Sequence, residues 1–166
     1  LVGRRLGDFE LVGPFGRGGG AGSIDVVDAN GVKEIDAAFR GGHGDYVHQQ
    51  GPSPQQLERE GRGYVVAGVG EAMPSVAFSS LMASHHFLRS EMAKAFTRAY
   101  RRARLWVTQA PAEEIAGKEA VLFPGVSVEA LSSSIARYQK LGCWEGDLPI
   151  TRDLYEQALD VFIHSA

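Results

Sequence analysis

Of the chain's 21 glycines, only Gly117, Gly125, Gly142 and Gly146 lie beyond residue 70, and this skew divides the 166 residues into two differently built parts. The glycine-rich part should hold the strands. Short apolar runs bounded by glycine, proline or serine stand at 9–12, 24–28, 45–47, 64–69 and 76–82. Most are near-continuous, as expected of strands covered on both faces. Helices alternate with them. Ile35, Ala38 and Phe39 fall on one side of a helix over 32–40 that Gly41-Gly42 stops. A second helix starts at Ser53, where Pro54 suits the first helical position and Gln56 completes a capping-box pattern, and Gly61 ends it. Strand and helix in alternation predict parallel pairing through crossover helices.

The rest reads as helix. Ser90 caps a segment running to about Gln109, with Met92, Phe96, Ala99, Tyr100 and Ala103 at helical spacing. Pro111 opens a short helix over Glu113, Glu114 and Ile115. Two more run from Ser127 to Gly142 and from Thr151 through Phe162. The expectation is an α/β lobe over 1–88 with a mainly parallel sheet, followed by a helical segment over 89–166 that packs on it.

A formal charge of −3 without a basic stretch gives no support for a nucleic-acid partner; the arginines between Arg98 and Arg104 read as a solvated helix face. Cys143 alone makes no internal disulfide and lacks the paired spacing of a zinc or redox site. No apolar run approaches the roughly 20 residues that span a bilayer, and Leu1 to Arg5 lack the apolar core of a signal peptide. The first residue is not methionine, so the missing signal is no argument for the cytoplasm.

Phe15-Gly-Arg-Gly-Gly-Gly-Ala-Gly22 has glycines at a spacing that suggests a phosphate loop, but a strand and not a helix is expected to follow, and no Gly-Lys-Ser/Thr ending is present. A glycine turn near a pocket and a plain surface turn both fit. His85-His86 are neighbours that point apart, and His43 and His48 lack a third ligand at metal spacing, so no metal is expected; a polar ligand contact suits His48 better. Ser79-Ser80 lie in an apolar run with no nucleophile elbow, Cys143 reads as a helix-end packing residue, and Glu113-Glu114 favour a helix dipole. No catalytic constellation is present, and no cofactor is expected.

Three segments together resemble a known family. They are Glu34-Ile-Asp-Ala-Ala-Phe-Arg-Gly-Gly-His-Gly-Asp-Tyr46; Gly61-Arg-Gly-Tyr-Val-Val-Ala67; and Ala83-Ser-His-His-Phe-Leu-Arg-Ser90 onward through Ala110-Pro-Ala-Glu-Glu114, Phe123-Pro-Gly-Val126 and Tyr138-Gln-Lys-Leu-Gly-Cys-Trp144. Their order and spacing are similar to the C-terminal portion of the periplasmic solute-binding proteins for nitrate, sulfonates, taurine and thiamine-pyrimidine precursors, over roughly residues 25–166. The resemblance implies a type II periplasmic-binding-protein lobe that holds a small polar, anionic or heteroaromatic solute for an ABC-type importer outside the cytoplasm. Its partners would be the solute, the transporter's membrane subunits and, since most of the first lobe is absent, a second copy of the chain. Carried over by position, the ligand contacts are Tyr46, His48, Gln49 and Gln50 after the third strand, with Arg17, Gly18, Gly19 and Gly20 from the glycine loop. Two other readings stand beside this one: an enzyme like the thiamine-pyrimidine synthase of the same fold, whose histidine-rich motif and cofactor lysine have no match here, and a stand-alone lobe acting as an assembly or regulatory module.

Overall fold

The structure, a computed structural model, describes residues 2–5, 9–13 and 31–164. The chain mixes helices with short strands, and its order is β1 (Val2–Arg5), β2 (Phe9–Gly13), α1 (Val32–Arg40), β3 (Val47–Gln50), α2 (Ser53–Arg59), β4 (Tyr64–Gly68), α3 (Val69–Ala72), β5 (Ala77–Leu81), α4 (His85–Leu88), α5 (Glu91–Gln109), α6 (Ala112–Glu119), a 3-10 turn (Ala120–Leu122), α7 (Val128–Lys140) and α8 (Arg152–His164). The strand expected at 24–28 and the glycine loop that precedes it lie outside the described residues.

The expected parallel sheet is corrected. Among the described residues every strand pair is antiparallel: β2 lies between β3 and β4 and pairs with both, while β1 pairs with β5 in a separate ribbon. The crossover itself is real, since β3 and β4 run the same way and α2 joins them. The sequence far upstream supplies β2, which takes the hydrogen-bonding edges that β3 and β4 would otherwise offer one another. Apolar continuity along a strand reports burial and carries no information about which edge a distant segment will fill.

α1 and α2 cover one side of this sheet. Val47 from β3, Val65 from β4, Leu57 from α2, and Ile35 and Phe39 from α1 meet in one apolar cluster, with Leu57 fully buried. Helix α2 shows a second correction. Ser53 is its first residue, not its cap, and makes no capping bond. Gln56 is spent elsewhere: its Nε2 donates to Glu60 at 2.8 Å and its Oε1 accepts from the Ser127 backbone N–H at 2.9 Å. That second bond ties α2 to the start of α7.

A second core joins α6 and α7, where Ala112, Ile115, Ala116, Leu131 and Ile135 pack together beneath Trp106, Val107 and Trp144. The expected caps form at Ser90, Ser127 and Thr151, whose hydroxyls accept from the amides of Ala93, Ala130 and Leu154. Gly142, at φ 65°, takes the left-handed conformation that ends α7, and the Cys143 amide turns back to the Tyr138 carbonyl at 3.0 Å. Between the end of α5 and the turn after α7, Arg104 donates to the carbonyls of Trp144 (2.7 Å) and Glu145 (3.0 Å).

Candidate functional site

Alternation along β3 decides which residues can act together. Val47 and Gln49 turn toward α1 and α2 and are buried, so Tyr46, His48 and Gln50 project to the opposite side of the sheet. On β4, Val65 joins the helix-side cluster, which sends Tyr64 and Val66 to that same opposite side, where they are 37% and 51% exposed. The strand assignment at 45–47 was displaced: β3 runs over Val47–Gln50, so His48, Gln49 and Gln50 lie within the strand and not after it.

Of the residues expected to contact a ligand, the structure therefore brings Tyr46, His48 and Gln50 together and sets Gln49 apart. Gln49 is 2% exposed; its Nε2 lies 3.5 Å from Asp36 Oδ1, and its Oε1 finds no hydrogen-bond partner among the described residues. Arg17, Gly18, Gly19 and Gly20 lie outside the described residues.

Helix α7 packs against α6 and α2 and reaches the carboxyl ends of β3 and β4. Ser134, Arg137 and Tyr138 fall on one side of that helix at helical spacing, and Ser134 and Tyr138 are buried. Gly51 lets them approach, since a Cβ there would run into the Tyr138 hydroxyl and lie 2.5 Å from Ser134 Oγ. Gly68 does the same for Arg137, whose Nη2 would stand 2.9 Å from a Cβ at that glycine and lies 3.3 Å from Glu71 Oε1. The ends of the two strands thus have a polar rim, with a guanidinium, a carboxylate and two hydroxyls around them. Sequence reasoning missed these residues. The signal available was the i, i+3, i+4 spacing of Ser134, Arg137 and Tyr138, which marks a shared face without saying what that face meets.

Gly51→Ala is expected to cost about 1–3 kcal/mol by overpacking, because both obstructing hydroxyls belong to buried side chains. A drop in the denaturant midpoint with unchanged slope checks it, and Tyr138→Phe in the same chain should recover part of the loss by removing one obstruction.

Protein mass around the His48 ring disfavours its charged form and lowers its pKa from the ordinary histidine value. The folded pKa then lies below the unfolded one, near 6.5. Between the two, the unfolded chain binds more protons, so stability rises with pH across that window and falls as pH drops below about 6.5. Replacing His48 with glutamine should flatten this part of the curve, as read by melting midpoints between about pH 5 and 7.5.

On the other side of the sheet, a groove of about 260 Å³ is bordered by Lys33, Asp36, Arg40, Ser53 and Gln56. Its polar groups are largely spent on each other. Arg40 donates to both Asp36 and Glu60, Asp36 also receives Gln49, and Gln56 bridges Glu60 and Ser127. Arg40 and Gln56 hold the Glu60 carboxyl below its usual range, in that order of effect. The arrangement is a clasp between α1 and α2, not an open recognition surface. Among the described residues no three histidine, cysteine, aspartate or glutamate side chains gather to hold a metal, and no helix is long and apolar enough to cross a membrane.

Against known proteins, the chain is 29% identical over 126 residues to a protein of Bacillus subtilis (strain 168) described as "Putative binding protein YtlA". The match takes in 75% of this chain but only 38% of that protein, so the chain spans well under half the length of the relative it matches. No family model matches the chain. No solved structure matches it either.

Proposed function

We propose that this chain is the C-terminal portion of a solute-binding protein, a type II binding-protein lobe over 1–88 with a helical segment over 89–166, which holds a small polar, anionic or heteroaromatic molecule for an ABC-type importer outside the cytoplasm. The observation that carries this reading is the open side of the β3-β2-β4 sheet. One side of the sheet is sealed by α1 and α2, while the other presents Tyr46, His48, Gln50 and Tyr64 beside the polar rim at the strand ends. Aromatic rings offer flat apolar area, and the imidazole and amide offer directional hydrogen bonds, which is the mixture that orients a small polar guest. The likeness to a protein described as a binding protein supports the same reading.

Because the chain matches only part of its longer relative, the cleft is read as shared with a further lobe, and Tyr46, His48 and Gln50 as this portion's contribution. A thermal-shift series with nitrate, alkyl sulfonates and aminopyrimidines tests the reading. A solute at about 100 times its Kd should raise the melting midpoint by roughly 5–10 °C. His48→Ala with Gln50→Ala should abolish that shift, with circular dichroism of the unliganded variant as the check that it is still folded. No response to any of the three solute classes, or a response indifferent to the double substitution, would remove the proposal's support.

A further inference from the structure

The register of the sheet sets two tyrosines on either side of a glycine. Val12 of β2 stands opposite Val47 of β3, and Gly13 of β2 stands opposite Tyr64 of β4. Continued by one residue, the β2-β3 register puts Tyr46, which directly precedes β3, opposite Gly13 as well. Tyr46, Gly13 and Tyr64 therefore form one row across the open face, with the glycine on the middle strand. Neighbouring strands lie about 4.8 Å apart, so the two tyrosines are rooted about 10 Å from each other. Both keep access to water, Tyr46 at 49% and Tyr64 at 37%. Between them the middle strand contributes no side chain, because its residue is glycine.

These dimensions suit a third ring. Aromatic rings stack with their centroids from about 4.5 Å apart, and a flat molecule midway between two rings rooted about 10 Å apart stands roughly 5 Å from each. Any side chain at position 13 would take that space. In the next row along, Leu11 of β2 stands opposite His48 on one side and Ala67 on the other. His48 lies two residues from Tyr46 on the same face of β3, about 7 Å along the strand, where its ring nitrogens can reach the edge of a guest above Gly13. The groups presented are two phenols, an amide and an imidazole whose charged form burial disfavours. An anion drawn out of water needs a cationic or multiply donating partner. A flat uncharged ring needs two apolar walls and a directional contact at its edge.

We infer that Tyr46 and Tyr64 are the walls and Gly13 the floor of a slot that takes a flat, uncharged nitrogen heteroaromatic ring, whose edge His48 reads. The inference rests on the open sheet face being the solute site, and it narrows the guest to one of the classes named above. Tyr64 and Gly13 become specificity-determining residues, the first by stacking and the second by leaving room.

Titration calorimetry on the 166-residue chain with 4-aminopyrimidine, nitrate and methanesulfonate tests this. The uncharged ring should bind, and the two anions should not. Tyr46→Ala and Tyr64→Ala should each weaken it about 5- to 150-fold, the range for losing one aromatic stacking partner. Tyr64→Phe keeps the ring and should bind nearly as well as the unaltered chain. Gly13→Val, a residue that suits a strand, should fill the slot and abolish binding with circular dichroism unchanged. Binding of an anion in place of 4-aminopyrimidine would overturn the slot and leave a solute site standing. Binding of 4-aminopyrimidine that ignores Gly13→Val or both alanine variants would overturn it too, as would equal losses in Tyr64→Phe and Tyr64→Ala. Silence to all three probes would overturn the slot together with the solute reading beneath it, so the two failures read differently.

Discussion

Leu57→Ala is expected to lower the unfolding free energy by about 2–5 kcal/mol, the range for removing a large aliphatic side chain from a filled core. Leu57 has no exposed surface and sits where α2 meets both α1 and the sheet, against Val47, Val65, Ile35 and Phe39. The surrounding groups cannot easily collapse into the gap, because Val47 and Val65 are fixed by pairing with β2 and α2 is tied to α7 through Gln56. Whole domains are stable by only about 5–15 kcal/mol, so the loss is a large share of the total. Urea unfolding checks it: the midpoint should fall while the slope stays constant. Leu57→Met, which keeps the volume, should cost less than about 1.5 kcal/mol. Equal losses in the two variants would mean that the cluster is not packed around this side chain.

Arg104→Ala carries the second large effect. The residue is 9% exposed and its guanidinium makes three bonds to two carbonyls, with Nε and Nη2 both reaching Trp144 O and Nη2 also reaching Glu145 O. These bonds hold the turn after α7 against α5. Removing the side chain strands acceptors that folding has drawn away from water, at a cost of about 2–3 kcal/mol. Lysine should recover only part of the loss, since a single ammonium cannot span two carbonyls from the position of a planar fork. Amide exchange at 143–148 gives a local check, because it should accelerate in the alanine variant while α6 stays protected. Retained protection in that segment would show that Trp144, stacked edge-on to Tyr138 at 5.7 Å, holds the turn without Arg104.

Helices were legible because their signals are local. Caps at Ser90, Ser127 and Thr151, the stop at Gly41-Gly42 and the breaks at Pro111 and Gly142 each act within one turn, and α1 and α5 fall on the expected residues. Strand pairing was not, because β2 meets β4 more than fifty positions downstream and nothing in either run names its partner. Ser53 illustrates a local rule losing to tertiary structure, with Gln56 drawn away from a capping box toward Ser127. At the candidate site, Tyr46, His48, Gln49 and Gln50 were named together from the resemblance, as residues following a strand over 45–47; because β3 runs over Val47–Gln50 instead, alternation within it groups Tyr46, His48 and Gln50 and turns Gln49 inward. Ser134, Arg137 and Tyr138 could be placed at the strand ends only once α7 was seen to cross Gly51 and Gly68.

Amide hydrogen exchange on the chain with and without the solute that raises its melting midpoint most is the decisive measurement. Exchange should slow across 46–51 and 134–138, the open sheet face and the polar groups at the strand ends, while the α1–α2 groove around Lys33 and Arg40 is unaffected. Protection confined to that groove, with 46–51 unchanged, would contradict the assignment of the guest to this side of the sheet.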